Sequence, residues 1–533
     1  MFIDARKLPA GTLLDCDICI LGAGAAGITL ARELAGSPYK VCLLESGGFD
    51  IDQATQDLYK GEIAGRYYPP LDTARLRFFG GSTNHWDGNC TPLDALDFEN
   101  RDWVDYSGWP ISRSDVDPFY ARAQPYCQLG PYRYDPAYWA PLAGGPALPL
   151  PPEKATTNIA QLSPPTRFGE VYRDDIGRAA NVTAVLHANV LEIVPRSDDA
   201  SRIGHVRVAV LKGAAFTVTG RHFVLAMGGI ENPRQLLLSN TSAPAGLGNQ
   251  NDLVGRFFME HPVVDGATFQ PSRKDLNLKL YGETVFGERA LTAFLQVSDA
   301  ALRRHKLTNM RAPLDPTTRY RASVGVEAFD ELADELRGGP APMSNWLDVK
   351  EVIEDFDMVL EAGARKLLHR HLFASAEDDV CFTMDTMVEQ TPNPASRVTL
   401  AEERDVVGQR RVRLDWQIEQ KTEDNLWRCF EIIGAALGQA GVGRLRSWRE
   451  HAVRLWGKER LNYGFHHMGT TRMHQNASRG VVDADCRVHG LKNLYVAGSS
   501  VFPTGGHVPP TLTIVALAIR LADHLKRIAG ERS

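Results

Sequence analysis

A glycine-rich turn near the N-terminus separates a predicted strand from a predicted helix. The apolar run 17–21 is typical of a buried parallel strand, and the spacing of 28–34 indicates a helix. Between them, Gly22, Gly24 and Gly27 form a GxGxxG motif. Glycines in this place let backbone approach a pyrophosphate at the N-terminus of the helix. The start of the chain is therefore predicted to adopt a dinucleotide-binding βαβ unit.

An acidic residue completes this pattern. A second apolar strand, 41–44, ends at Glu45, about twenty positions after the glycines. A carboxylate there can accept hydrogen bonds from ribose hydroxyls, which favours an adenosine without a 2′-phosphate. The alternative, a glycine-rich turn that binds nothing, does not explain the ordered strand, glycines, helix, strand and acid. This unit alone does not distinguish NAD from FAD as the cofactor.

Length and charge exclude several classes of protein. A chain of 533 residues is too long for one core, so two domains are expected. A net charge of -6 without a basic stripe argues against a nucleic-acid partner. The N-terminal residues lack the apolar run of a signal peptide, and no stretch is apolar enough to span a bilayer. We expect a cytoplasmic protein, with export alongside a partner subunit as the alternative.

The cysteines predict neither a disulfide scaffold nor a metal site. Eight cysteines are few for this length. Cys16 and Cys19 form a CxxC, but they fall in a strand rather than at the start of a helix. They are interpreted as core residues, with redox or metal use as the alternative.

Further glycine pairs and strands follow the first unit. The stretch 75–90 holds paired glycines and one His-Trp, which favours backbone packed against a planar ligand. Another pair, Gly228 and Gly229, stands between a predicted strand and a helix. From 130 to 152 the chain is rich in Pro, Gly and Tyr, which predicts a long loop or lid. Alternating strands after residue 380 indicate an antiparallel sheet.

Two late segments complete a pattern that resembles a known family. Phe465–Thr470 reads FHHMGT, and Asn493–Ser499 reads NLYVAGS. With the opening glycines, Glu45 and the stretches 80–86, 228–233, 255–262 and 389–394, they are similar in order and spacing to the glucose-methanol-choline (GMC) oxidoreductases. Within this family, the motif sequences most resemble those of the pyranose oxidase and sugar or polyol dehydrogenase branch. The resemblance decides for FAD over NAD.

The resemblance implies an α/β (mixed α+β) fold with two domains. A Rossmann-type FAD domain is expected from the non-contiguous segments 1–100, 176–270 and 455–533. A substrate domain with an antiparallel sheet and helices is expected from 101–175 and 271–454, including the loop at 130–152. The residues implied to bind the cofactor are Gly22, Gly24, Ala25, Ala26, Gly27, Glu45, Ser46, Gly80, Gly81, Ser82, Asn84, His85, Trp86, Val190, Ala226, Gly228, Ala497, Gly498, Pro510, Thr511 and Leu512.

The resemblance also implies a reaction. An alcohol carbon gives a hydride to flavin N5, while a histidine takes the hydroxyl proton. His466 matches that histidine as the first residue of a His-x-x-Gly-Thr pattern, and imidazole has a suitable ordinary pKa of about 6.5. The alternative is a buried histidine bound by backbone. The adjacent His467 is interpreted as a packing residue that could exchange roles with His466.

The chain departs from the family at its second catalytic position. The family pattern places an Asn or His there, whereas this chain has Pro509, whose side chain neither donates nor accepts a hydrogen bond. His507 is the nearest polar candidate to compensate, with a loop histidine of no catalytic task as the alternative. The departure keeps a second function open, a flavoprotein that performs a lyase or isomerase step, and a third, a cofactor-binding relative without turnover.

Three further properties concern how the flavin is attached, which alcohol is the substrate and which compound accepts the electrons. His85 stands in a setting that resembles the site of covalent flavin attachment in pyranose oxidases, and it is expected near the isoalloxazine in either case. A sugar, glycoside, polyol or cyclitol hydroxyl is the expected substrate, with Tyr134, Trp139 and Trp346 as candidates to stack on a sugar ring. Oxygen, a quinone and a protein are the alternatives for the electron acceptor.

Overall fold

The fold is mixed α/β. The computed structural model describes residues 1–164, 166–318, 324–336, 350, 352–353, 355–360, 380–449, 456 and 461–530. Its strands are β1 (Phe2–Asp4), β2 (Leu13–Leu21), β3 (Val41–Leu44), β4 (Gly61–Gly65), β5 (Asn89–Cys90), β6 (Ala155–Leu162), β7 (Val182–Leu186), β8 (Asn189–Pro195), β9 (Ile203–Ala209), β10 (Ala215–Leu225), β11 (Pro262–Pro271), β12 (Thr284–Phe286), β13 (Arg289–Val297), β14 (Met310–Pro313), β15 (Asp315–Thr318), β16 (Val380–Val388), β17 (Arg397–Arg404), β18 (Arg410–Trp416), β19 (Gly443–Ser447), β20 (Asn462–Tyr463) and β21 (Leu494–Val496).

Helices connect and cover these strands. The α-helices are α1 (Ala25–Leu34), α2 (Gln53–Gln56), α3 (Ala95–Phe98), α4 (Arg113–Tyr126), α5 (Pro136–Ala143), α6 (Phe168–Val171), α7 (Arg173–Arg178), α8 (Gly228–Leu238), α9 (Asp299–His305), α10 (Val324–Leu336), α11 (Gln420–Gln439) and α12 (Thr511–Gly530). Short 3-10 helices lie at Ala5–Lys7, Asp57–Tyr59, Gly81–Asn84, Lys279–Tyr281 and Ser499–Val501. None of the helices in the described ranges is long and apolar enough to cross a membrane.

The first sheet contains the parallel βαβ arrangement that the N-terminal pattern predicts. Its order is β1-β7-β3-β2-β10-β9-β8, with β21 beside β10. Strand β2 pairs in parallel with β3 and β10, and β21 is also parallel to β10. Residues 18–21 are fully buried because helices cover this part of the sheet. Cys16 and Cys19 are buried free thiols of β2.

The second sheet is antiparallel and faces the site with one side. Its order is β19-β11-β16-β14-β13-β6-β5, with β12, β15 and β20 beside it. Every pairing within it is antiparallel. Strands β17, β18 and β4 form a third, smaller sheet in the order β17-β18-β4. The first sheet is parallel except at β9, which pairs antiparallel with β10 and β8. The mixed α/β class with a mostly parallel sheet and an antiparallel one is thus confirmed. The domain boundaries stay predictions.

The segment 130–152 is not the continuous loop that its composition predicts. It contains α5, whose N-terminus is capped by the Asp135 side chain accepting from the backbone N–H of Ala137. Pro136 occupies the first position of the helix, where its fixed φ favours helical backbone and no N–H is needed. Gly144 ends the helix with φ 69°. Proline and glycine here delimit a helix rather than exclude one.

Candidate functional site

A cavity of about 960 Å³ lies against both large sheets. The carboxyl ends of β3, β10 and β21 form one part of its wall, and residues of β11, β13, β14, β15 and β16 form another. The carboxyl ends of parallel strands are where open α/β sheets bind ligands. The volume is at the upper end of the range for small-molecule and cofactor sites.

The opening glycines divide into two structural roles. A Cβ on Gly27 would lie 1.9 Å from the carbonyl oxygen of Gly22, so this glycine permits close packing of helix on strand. Gly22 has φ +105°, and its Cβ would meet the Ala226 oxygen at 2.7 Å. A Cβ on Gly24 would meet nothing within 4 Å. Gly24 therefore opens into the cavity, whereas Gly22 and Gly27 shape the turn.

The residues present fit a dinucleotide cofactor. Besides Gly24, Gly228 and Gly498 also border the cavity with open space where a Cβ would stand. Helix α1 begins at Ala25 directly after Gly24, and no side chain caps its free backbone N–H groups. An uncapped helix N-terminus with an open glycine in front of it suits a pyrophosphate. Helix α12 likewise begins in the lining, at Thr511.

We expect Gly24→Val to lower the affinity for FAD at least about tenfold, which corresponds to a loss of about 1.4 kcal/mol of binding free energy. The variant should remain folded. The added side chain would enter the cavity rather than the core. The control is Gly27→Ala, which should lower the melting temperature because its Cβ meets backbone. Bound flavin per protein and thermal unfolding measure the two effects. Unchanged FAD affinity in Gly24→Val would place the pyrophosphate elsewhere.

Glu45 borders the cavity at the end of β3. Its side chain is buried, and its two oxygens accept from the backbone N–H groups of Ala23 (2.9 Å) and Gly47 (3.0 Å). Burial raises the pKa of this carboxyl. Each carboxylate oxygen has a further acceptor site, so hydrogen bonds from ribose hydroxyls are still compatible with this geometry.

An arginine cluster beside the cavity was not predicted. Arg75 and Arg77 both contact Glu231, at 3.0 and 3.3 Å, and Arg234 contacts the same carboxylate at 3.1 Å. Burial disfavours the charge of Glu231, but these arginines hold its pKa at about 2. Asp405 pairs with Arg234 at 2.8 Å. Three cations on two carboxylates leave net positive charge near a cavity that fits a pyrophosphate.

Most predicted cofactor residues border this cavity. Those in its lining are Gly22, Gly24, Ala25, Ala26, Glu45, Ser46, Gly81, Ser82, His85, Trp86, Val190, Ala226, Gly228, Ala497, Gly498, Pro510 and Thr511. Gly27, Gly80, Asn84 and Leu512 lie behind it. Asn84 donates to the carbonyls of Phe79 and Gly81 and so shapes the loop, and Leu512 is fully buried.

His85 and Trp86 stand at the wall of the cavity. His85 is exposed there, and partial burial lowers its pKa. The indole N–H of Trp86 donates to the carbonyl of Thr166 at 2.9 Å. An exposed imidazole at this wall is compatible with covalent flavin attachment, which stays a prediction.

His466 faces the cavity from the loop that follows β20. Phe465, directly before it, has the left-handed φ of 54°, which is uncommon outside glycine and often marks functional sites. The backbone N–H of His466 then donates to Oε1 of Glu260 at 2.7 Å, and the N–H of His261 donates to the same oxygen at 2.8 Å. Glu260 therefore positions both histidines. Burial raises its pKa to about 7.

The hydrogen bonds of His261 determine which nitrogen of His466 is protonated. Nε2 of His261 lies 2.9 Å from the carbonyl oxygen of Gly506, which can only accept, so this nitrogen carries the proton. Nδ1 of His261 is then an acceptor, and Nδ1 of His466 lies 2.9 Å from it. His466 must donate there from a protonated Nδ1. Its Nε2 is therefore unprotonated, and no described residue bonds to it.

His467 is held in the opposite tautomer. The hydroxyl of Tyr68 donates to Oε2 of Glu260 at 2.7 Å and so accepts from Nε2 of His467, also at 2.7 Å. His467 is buried, and burial lowers its pKa to about 3. Both histidines border the cavity, but only His466 has an unprotonated Nε2 without a partner.

His507 is directed away from the cavity. It is fully buried, does not border the cavity, and donates from Nε2 to Oε1 of Gln296 at 2.9 Å. Its ring packs against Phe294, and burial lowers its pKa to about 4. Pro509, two residues later, does border the cavity. The hydrogen bond to Gln296 therefore removes His507 as a direct partner of a ligand in this cavity.

Of the predicted sugar-stacking residues, Trp139 is buried and Tyr134 is partly buried. Both pack in clusters away from the cavity lining, and Trp346 lies outside the described residues.

Three charged residues that sequence reasoning missed border the cavity: Arg311 of β14, Asp315 of β15 and Asp385 of β16. The sequence signal for these three residues is the alternation of side chains along β-strands. It was not sufficient, because a sequence does not show which strands pair. Glu260 and His261 lay in the quoted stretch 255–262 without an assigned role.

Comparisons with known proteins agree with this geometry. A sequence model described as GMC oxidoreductase matches residues 392–518. The chain is 23% identical to 2-methyl-1,2-propanediol dehydrogenase of Mycolicibacterium austroafricanum, covering 96% of this chain and 95% of the relative. It is 21% identical to the fructose dehydrogenase large subunit of Gluconobacter japonicus, covering 96% and 97%.

A solved structure has the same fold. Formate oxidase from Aspergillus oryzae superposes with a TM-score of 0.55 at 17% identity, covering 98% of this chain and 100% of that one. Family match, relatives along the whole length and fold are consistent with one another and with a cavity that fits a dinucleotide. Residues 392–518 match a GMC oxidoreductase domain, and the chain is an FAD-dependent oxidoreductase.

Proposed function

We propose that this enzyme oxidises a CH–OH group of a sugar, glycoside, polyol or cyclitol to a carbonyl, with His466 as the base. The observation that carries the proposal is the tautomer of His466. Its unprotonated Nε2 has no partner among the described residues and borders the same cavity as the glycines that fit FAD. A neutral imidazole with an open nitrogen is the form that accepts a hydroxyl proton.

The residues of the chain divide the work of the reaction. Bound flavin supplies the acceptor for the hydride that leaves the alcohol carbon. His466 Nε2 takes the hydroxyl proton, which turns the ring into a cation with Nδ1 still donating to His261. The carbonyl of Gly506 keeps the proton of His261 on Nε2, so Nδ1 of His261 does not donate to His466. Glu260 holds the backbone of both histidines, so the ring of His466 keeps one orientation through the proton transfer.

The charged wall supports a polyhydroxylated substrate. Asp315 and Asp385 offer acceptors at the cavity, and Arg311 offers donors. A sugar or polyol hydroxyl is both donor and acceptor, so it can satisfy both kinds of group. The diol and fructose in the names of two relatives are compatible with this class.

The test is anaerobic mixing of the purified flavoprotein with a panel of sugars, polyols and cyclitols while the flavin absorbance is followed. Bleaching by one member, with one carbonyl product per flavin reduced, is the expected result. Product formed from an alcohol without bleaching would replace oxidation by the lyase or isomerase alternative that Pro509 leaves open. Acid precipitation of the same sample tests covalent attachment through His85, since attached flavin stays in the pellet.

The pH dependence of the reaction should report the base. Burial, together with neighbouring histidines and the cation of Arg311, lowers the pKa of His466 well below its ordinary value. A base must be unprotonated to act, so the limb due to His466 should lie well below about 6.5, where a proton binds to its ring. A limb near 7 is expected only from the carboxyl of Glu260, whose pKa is about 7. A limb with its midpoint between 6 and 7 that persists in Glu260→Gln would contradict this assignment.

A further inference from the structure

Pro509 leaves the reacting oxygen without the second polar partner that the family pattern provides. The proline borders the cavity, so no side-chain donor enters from that position. His507 does not compensate, because it donates to Gln296 behind the wall. A donor to the oxygen must therefore come from another element of the lining.

Strand pairing brings Arg311 to the wall. Val263 of β11 is paired with Met387 of β16, and Met387 is paired with Arg311 of β14. Directly paired residues share one face of a sheet, and all three border the cavity. Val263 lies two residues after His261, so the row begins beside the histidine that orients His466. Arg311 is about 10 Å from Val263 along this row, at two strand spacings.

The guanidinium of Arg311 has an unused hydrogen-bonding capacity. Its side chain is nine-tenths buried, with Nε buried and without a partner. The group lies over the ring of Phe294 at 5.0 Å, and Phe294 packs against His507, which precedes Pro509 by two residues. No described residue forms an ion pair with Arg311, whereas the comparable cavity cation Arg75 pairs with Glu231 at 3.0 Å. An unpaired buried cation at a cavity is costly unless a ligand completes it.

The neighbouring carboxylates do not neutralise Arg311 by contact. Asp315 and Asp385 act on it only through space, and burial lowers its pKa to about 10, so it remains a cation at neutral pH. Its Nη atoms are free to donate to an oxygen in the cavity. Negative charge on an oxygen beside these Nη atoms is stabilised by the cation, whether the charge is permanent or develops during the reaction.

We propose that Arg311 is the second catalytic group of this site and donates hydrogen bonds to the oxygen that loses its proton to His466. The proposal rests on the function proposed above. The O–H proton goes to Nε2 of His466, the C–H hydrogen leaves with the bonding electron pair as the hydride that the flavin would accept, and the electron pair of the O–H bond forms the C=O bond. Arg311 gains and loses nothing, and its cation stabilises negative charge on the oxygen while the proton leaves.

The first test uses an anion and needs no oxidation. Acetate, whose carboxylate suits a guanidinium, is titrated into the flavin-bound protein and followed by calorimetry and the flavin spectrum. We expect saturable binding that Arg311→Met weakens roughly 10- to 150-fold and Arg311→Lys weakens less. Bound FAD and the melting temperature of both variants verify folding. Equal acetate affinity in wild type and Arg311→Met would overturn the proposal.

The second test separates catalysis from simple binding. In Arg311→Met, flavin reduction at saturating alcohol should slow roughly 10- to 150-fold, and added guanidinium should restore part of the rate. A raised KM with an unchanged saturating rate would overturn the catalytic role and leave Arg311 a contact to another part of the substrate. If no alcohol reduces the flavin, the proposed oxidation is wrong. If acetate binding still requires Arg311 in that case, the assignment of Arg311 as a cation that binds a ligand oxygen atom stands.

Discussion

Replacing His466 with alanine is expected to slow flavin reduction by roughly 100- to 10,000-fold, the usual contribution of a positioned acid–base group. The variant lacks the unprotonated Nε2 of His466, which has no partner among the described residues and borders the cavity. FAD should stay bound, because the glycines and the N-terminus of α1 do not involve this side chain. Stopped-flow absorbance under anaerobic conditions measures the rate, and the flavin spectrum measures retention.

The matched control for this substitution is His507→Gln. His507 is the other residue that the sequence predicts as catalytic, yet it is buried against Gln296 and does not border the cavity. Glutamine can keep a hydrogen bond to that amide, so the rate should stay within a few-fold of wild type. A His507→Gln rate as slow as that of His466→Ala would return His507 to the mechanism. An unimpaired His466→Ala would remove His466 from it.

The second large effect is expected at His261, a positioning residue that acts through His466. In His261→Leu, the acceptor for the Nδ1 proton of His466 is lost, so the ring is free to take the wrong tautomer and its protonated form loses a hydrogen bond. A hydrogen bond to a charged group contributes about 1.5–3 kcal/mol, which corresponds to a fall of roughly 10- to 150-fold in the rate of flavin reduction.

Rescue by a conservative variant distinguishes positioning from a general structural role. His261→Gln offers an amide oxygen to His466 and an amide N–H to the Gly506 carbonyl, so it should recover much of the rate that His261→Leu loses. The KM for the alcohol should change little in either variant, because His261 is behind His466 and not in the lining. Equal losses with leucine and glutamine, at equal FAD content, would contradict the tautomer argument.

Local chemistry made the cofactor half of the site predictable. A strand, three glycines, a helix and Glu45 are contiguous in sequence, and the backbone freedom of glycine has the same meaning wherever the unit stands. The class of the fold followed for the same reason, since apolar strands and alternating strands differ in pattern. The segment 130–152 shows the limit of composition: Asp135 and Pro136 start a helix where proline content alone argued for a loop.

The catalytic half depended on contacts between distant segments. His466 is in a recognisable motif, but its protonation depends on His261 and on a carbonyl at Gly506, and these residues meet only in the folded chain. His507 looked available because a sequence does not show that Gln296 binds it. Arg311 stands on a strand whose pairing with β16 the sequence does not show.

What the sequence alone determined is the presence of a dinucleotide-binding unit, the mixed α/β class and the absence of a polar side chain at Pro509. Each depends on residues that are neighbours in the chain or on the chemistry of one residue. Only the tertiary structure decided which nitrogen of His466 is free and which cation stands unpaired at the cavity. Tautomers and unpaired charges depend on all the partners that surround a group, and those partners come together only through strand register and packing.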